Sequence, residues 1–369
     1  VSVVSLHAPA PDGDFHPPEP VGAEARAVVT RLRRRAGRRV VVVVLGLALL
    51  LLALMAVRIL LGRYTVTVGD FVAILGGTQI PGASFIVLEE KLPRAVIGAL
   101  AGLGLGAAGG MFRRSLRNPL ASPDVLGMTH GAAAFAVGAL AFGQLRGIQM
   151  AAAALLGGLA ATAVVLWFSA GTRRDTRARG IGGDRFIVAG IAVAALAQAV
   201  VAGAMLSLSL HDLQTAAIWT AGSLNAASWE RITMLGVALL VLLPVAGWIH
   251  WAMAPVDLGA DLAHGLGTRP APLVLGALVT GAALAAVATA ATGPLAFVAL
   301  MSSPIALGLT RGRFSLPTTA LCGACLVVLA DFVGAELLGV TLPTGVLTGA
   351  AGAPLMLWLL LTNSRRGNT

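Results

Sequence analysis

Cys322-Gly-Ala-Cys325 has the spacing with which paired thiolates hold zinc or exchange disulfides. No second pair or nearby histidine completes a zinc set, and the surroundings are apolar, so the two read as small buried hydrophobes. Gly104-Leu-Gly106-Ala-Ala-Gly109 spells a dinucleotide fingerprint, but it lies inside an apolar run with no strand before it. His7, His16, His130, His211, His250 and His264 are scattered, and no HExxH or GxSxG pattern is present. Lys91 is the sole lysine and stands between Glu90 and Leu92. A phosphate loop needs Gly-Lys-Ser/Thr, so this chain does not bind and hydrolyse ATP by that route. Asp331 lies within an apolar stretch, where an ionised carboxylate costs on the order of 3 kcal/mol unless it faces protein or water.

The elements around these residues are membrane spans. Of the 369 residues 57% are apolar and 11% charged, against roughly a quarter charged in soluble domains, and the mean hydropathy is +0.88. A soluble enzyme is ruled out. Ten apolar stretches reach or approach spanning length: Val40–Leu61, Leu92–Phe112, Gly127–Phe142, Met150–Ala170, Phe186–Leu208, Ile232–Met253, Ala271–Ala291, Leu295–Thr310, Leu316–Gly334 and Gly345–Leu361. The expectation is an all-α polytopic membrane protein with a permease domain over 40–362. A polar, unstructured cytoplasmic tail over 1–39 precedes it and a short cytoplasmic tail over 363–369 follows.

The net charge of +10 is therefore read by position, not as a nucleic-acid footprint. With ten spans, twenty of the 26 Lys and Arg residues fall in the first tail, alternate loops and the last tail. That bias places both termini in the cytoplasm, with Lys91 and Arg94 toward the outside.

Several segments are more than spacers. Gly98, Gly102, Gly106 and Gly110 form a small-residue row suited to close helix contact. Asn118-Pro119-Leu-Ala-Ser-Pro123 and Gly293-Pro294-Leu-Ala share a Pro-Leu-Ala break, expected once at each membrane face, as two inverted halves would show. The Gly180–Gly183 turn, with Gly182 and Gly183, is a candidate inner gate. Leu258-Gly259-Ala-Asp261-Leu262-Ala263-His-Gly-Leu266-Gly267 places leucines every fourth residue on a short helix, either resting on lipid or docking a partner.

Together with Lys91-Leu-Pro-Arg94, Trp219-x-x-Gly222-Ser223, Ala330-Asp331, Leu342-Pro343-Thr-Gly345 and Gly352-Ala-Pro354, these strings resemble the FecCD-type permeases of ATP-binding-cassette importers for iron–siderophores, haem and cobalamin. The resemblance runs from about Val40 to Leu361. It implies the ten-helix type II importer fold and a second permease subunit, as a homodimer or heterodimer. Two cytoplasmic ATPases would dock on Leu258–Gly267, and an extracytoplasmic binding protein would be met by Lys91 and Arg94. The implied substrate is a ferric siderophore, with haem or cobalamin as alternatives, along a path near Trp219, Gly222, Ser223 and Asn225. No cofactor is expected in this chain; ATP and Mg2+ belong to the partner ATPase. An ion-coupled secondary transporter is the reading from a different class. The sequence departs from the family at Ile305, Gly308 and Ala335, where His, Arg and Arg are usual. Ala335 is expected to leave Asp331 without its usual neighbour.

Overall fold

The computed structural model describes residues 23–124, 126–169, 184–338 and 342–366, and these contain helices and turns but no strand. In chain order the α-helices are α1 (Ala23–Leu60), α2 (Val68–Leu75), α3 (Ala83–Phe85), α4 (Leu92–Leu116), α5 (Met128–Gly143), α6 (Ile148–Ser169) and α7 (Asp184–Met205). They continue as α8 (Leu210–Ala221), α9 (Trp229–Ala252), α10 (Ala260–Gly265), α11 (Pro270–Thr292), α12 (Val298–Leu309), α13 (Leu316–Phe332) and α14 (Thr344–Arg366). Seven helical segments, built on α1, α4, α6, α7, α9, α11 and α13, are long and apolar enough to cross a membrane. The shorter apolar helices α5, α12 and α14 occupy the remaining three of the ten expected stretches.

One boundary differs from expectation. The first tail is not without structure throughout, because α1 starts at Ala23 and carries the basic run Arg31–Arg39 as helix. Once the span has nucleated, each further Ala, Arg or Val adds a hydrogen bond at no new nucleation cost. Residues 1–22 lie outside the described residues.

Pro93 explains a second irregularity. Its ring would strike the carbonyl four residues back, and the chain widens ahead of it into a π-turn, Ile86–Lys91, where the Leu92 N–H reaches the Val87 carbonyl. The turn joins α3 to α4, making one segment from Ala83 to Leu116.

α4 is the axis of the bundle. A Cβ at Gly102 or Gly106 would collide with the backbone of α13 at Gly323–Ala324 and Thr319, and one at Gly109 with the Ala299 carbonyl of α12. The fingerprint-like Gly104–Gly109 string thus serves helix packing, where oil supplies no hydrophobic drive. Around α4 the largest buried cluster gathers Leu105, Met111, Leu235, Leu239, Leu284 and Val327. Cys322 and Cys325 are buried in α13, and the Cys325 Sγ lies 3.6 Å from the Leu47 carbonyl.

Candidate functional site

Three of the motif glycines meet in one knot. Gly222 and Gly293 both adopt positive φ, at 75° and 72°. A Cβ on Gly222 would overlap the Pro294 carbonyl, one on Gly293 the Trp219 carbonyl, and one on Gly345 the Ala221 carbonyl. The Ser223 N–H donates to the Thr292 carbonyl at 2.9 Å, and the Gly345 N–H donates to the Gly222 carbonyl at 2.9 Å. Backbones this close admit no side chain, which is the physical reason for glycine at all three positions.

Beside the knot lies a cavity of about 610 Å3, walled by Ser122, Asp124, His130, Gln198, Pro294 and Phe297 among others. The first Pro-Leu-Ala break reaches this chamber through the Ser122 and Asp124 that follow it, with Pro119 and Leu120 exposed, and the second through Pro294, Ala296 and Phe297. α12 has 12 residues, about 18 Å at ~1.5 Å per residue, short of a ~30 Å core, and the second break stands at its start. Phe297, the N-cap of α12, takes the left-handed conformation at φ 63° to make the corner. Gly352 of α14 packs directly on the Phe297 ring, and Pro354 lies at the middle of α14.

Asp124, in the connection between α4 and α5, places both carboxylate oxygens out of solvent without a hydrogen-bond partner. Burial raises its pKa to about 7, opposed only by the nearby Phe297 backbone N–H. His130 Nδ1 is likewise buried and unpaired. Neither residue was singled out as a site from sequence; the available signal was an acid directly after Pro123 in a rigid break. Trp219, Ser223 and Asn225 border a smaller cavity of about 300 Å3 with Arg146, His211 and Arg231. Gly182 and Gly183 lie outside the described residues.

Lys91 and Arg94 are not free outer cations. Lys91 is 4% exposed, and its Nζ donates to the Leu61 carbonyl at 2.9 Å and to that of Tyr64. Arg94 Nε and Nη2 donate to Asp331 at 2.9–3.0 Å. Asp331 also accepts from Arg58 Nε at 2.8 Å and from Thr344 Oγ1 at 2.9 Å. Arg58 reaches on to Glu336 Oε1 at 3.4 Å, and Glu336 accepts the Arg63 N–H at 2.7 Å. Asp331 thus has two arginine neighbours despite Ala335; Arg58 of α1 and Arg94 of α4 supply the charge that position 335 lacks. The buried carboxylate is satisfied on both oxygens, as a charge out of water must be.

A second charged cluster sits at the other end of α4. Arg114 Nε and Nη2 form a fork on Asp257 at 3.1 and 2.6 Å, and Arg114 Nη1 donates to the His250 carbonyl at 2.6 Å and to His250 Nδ1. Arg117 Nη2 donates to the Val256 carbonyl. These two arginines hold the 3-10 turn Pro255–Leu258, which leads through Gly259 into α10. Only Ala263 of α10 is buried. Leu258, Leu262 and Leu266 are 60–63% exposed, with Asp261 exposed beside them and Gly267 closing the turn at φ 75°.

A polytopic helical bundle with short helices around a chamber, and a short leucine-flanked helix whose approach is held by two arginines, is the architecture of an importer permease. The profile of the FecCD transport family matches residues 48–362, and the chain belongs to that family. It is 32% identical to the Fe(3+)-citrate import system permease protein YfmE of Bacillus subtilis, over 90% of this chain and 98% of that one. Identity to the ferric enterobactin transport system permease protein FepG of Escherichia coli is 33%, over 83% of this chain and 91% of the relative. Vitamin B12 import permeases also match, as in Salmonella typhi at 30% over 90% and 98% of the two chains. Among solved structures, an inward-facing metal-chelate type ABC transporter superposes with TM-score 0.73 at 26% identity, covering 86% of this chain and 98% of that chain. The protein is an ATP-binding-cassette importer permease.

Proposed function

We propose that this chain is one membrane half of an importer that carries ferric siderophores inward across the cytoplasmic membrane, with both of its ends in the cytoplasm. A second permease subunit completes the path, an extracytoplasmic binding protein delivers the substrate, and two separate ATPase subunits hydrolyse Mg2+–ATP. The observation that carries this reading is α10. One exposed leucine on a six-residue helix, Leu262, and the exposed Leu258 and Leu266 at its two flanks bury little in headgroups, yet the three together suit a groove on a partner protein. The chamber beside Asp124 and the smaller cavity at Trp219, Ser223 and Asn225 form the path, and the Gly182–Gly183 turn acts as its inner gate. The names of the relatives support an iron chelate as cargo. Haem and cobalamin remain the second reading, favoured by the vitamin B12 permeases among the relatives.

The test is uptake in a strain lacking this chain, restored by it, with labelled ferric citrate, ferric enterobactin, haem and cobalamin supplied in parallel. Rescue of ferric chelate uptake, abolished by ATP depletion, supports the proposal. Rescue of cobalamin or haem alone overturns the substrate, and uptake that answers to a protonophore but not to ATP overturns the class. A Leu262→Asp variant is expected to lose co-purification of the ATPase while keeping the permease folded, since Leu262 is 61% exposed. Undiminished co-purification overturns the docking role of α10.

A further inference from the structure

α4 ties the Asp331 and Asp257 charge clusters into one rod. Its 25 residues span about 37 Å at ~1.5 Å per residue. Arg94 near one end grips Asp331 of α13, and Arg114 near the other grips Asp257 ahead of α10. Between them, Gly102 and Gly106 lie against the α13 backbone and Gly109 against that of α12, too close for any side chain. Such a rod cannot slide or bend alone; it moves with α12 and α13 as a block.

The covalent path from α10 into the bundle is softer. α9 ends at Ala252, a 3-10 turn follows, and Gly259 and Gly267 bracket α10 at φ 111° and 75° with no atoms near their missing side chains. Glycines in open space flex. The stiff link is the side-chain one. The Arg114 side chain is 9% exposed, stacks over the Phe314 ring at 5.4 Å, and makes a two-toothed bond to Asp257 while also holding the His250 carbonyl. Arg117 adds a bond to the Val256 carbonyl.

We propose that Arg114 is the positioning residue of energy coupling: through Asp257 it makes α4, and with it α12 and α13, follow each displacement of the α10 segment. The inference rests on the reading of α10 as the ATPase docking helix. It assigns a separate task to a residue whose contacts within the chain are Asp257, His250 and Phe314. A bidentate fork suits the task because it resists both translation and rotation, which a point charge does not.

The experiment uses the complete transporter in proteoliposomes, with ferric citrate, ferric enterobactin and cobalamin supplied in parallel. Variants are Arg114→Ala, Arg114→Lys, Asp257→Ala and the charge-swapped pair Arg114→Asp with Asp257→Arg. In the singles the ATPase subunits still co-purify and ATP turnover continues, while cargo delivered per ATP falls roughly tenfold. The swapped pair recovers part of that loss, and Arg114→Lys falls between wild type and Arg114→Ala. Should Arg114→Ala fail to fold, Asp257→Ala supplies the reading, because Asp257 is 53% exposed. Unchanged delivery per ATP in Asp257→Ala, or a swapped pair no better than the singles, overturns the proposal. Loss of ATPase from Leu262→Asp with normal coupling in the Arg114 and Asp257 variants would sink the link and leave the docking helix standing. Retention of ATPase in Leu262→Asp would sink the docking helix itself.

Discussion

Arg58 and Asp331 are separated by 273 residues and meet at 2.8 Å, each 2% exposed. The contact fastens α1 to α13, and Arg94 and Thr344 bring α4 and α14 to the same carboxylate. Four helices therefore share one anion.

Removing one member of that group strands the rest in a dry site. Arg58→Met and Asp331→Asn are each expected to cost about 3–5 kcal/mol, as for other broken buried ion pairs. Thermal unfolding in detergent measures this. A loss below about 1 kcal/mol in both variants contradicts a shared, desolvated cluster.

Lys91 offers a test between two roles. If its ammonium serves the Leu61 and Tyr64 carbonyls, Lys91→Met lowers stability by about 1–3 kcal/mol through stranded acceptors. A docking cation would instead lose affinity for the extracytoplasmic binding protein at unchanged stability. Paired melting and binding measurements separate the outcomes.

Two glycines to alanine should behave oppositely. At Gly109 the added methyl meets the Ala299 backbone, while at Gly138 nothing lies within 4 Å. Gly109→Ala is expected to destabilise by about 1–3 kcal/mol or to block accumulation. Gly138→Ala should be neutral or gain up to about 1 kcal/mol from helix propensity. Equal effects at both sites would refute the tight packing of α4 on α12.

Asp124 gives a pH signature. Its carboxyl ionises near 7 in the folded chain, raised by burial from an ordinary 3.8. A raised carboxyl pKa means that the unfolded chain loses its proton first. Stability from this group is complete below about pH 4, declines between pH 4 and 7, and is level above that. Asp124→Asn should flatten that part of the profile and raise the melting temperature at pH 8. A decline of the same size in Asp124→Asn would assign it to other groups.

The spans were readable because hydropathy acts on whole stretches, and even the short third and eighth segments appear as α5 and α12. The α4 glycine row was readable for a similar reason, since four-residue spacing fixes a helix face. The charged residues were not. Lys91 and Arg94 read as exposed because they lie near a span end, and nothing local reveals that Arg58, Arg94 and Asp331 converge from three separate helices. The chamber was missed likewise: the sequence marked the rigid breaks at Pro119, Pro123 and Pro294, but nothing local shows that Ser122 and Asp124 of one break share a space with Pro294 and Phe297 of the other. The α10 stripe was legible in period, while its outward orientation follows from Ala263 taking the single inward position.

The inward setting of Cys322 and Cys325 on α13 has a practical consequence. Both sulfurs are screened from water-borne maleimides, so the natural chain already behaves as a quiet background for fluorophore or spin attachment. A reporter cysteine at an open position such as Leu206, 90% exposed, should take up label selectively. Motions of the working transporter could then be followed without first stripping α13 of its own two side chains.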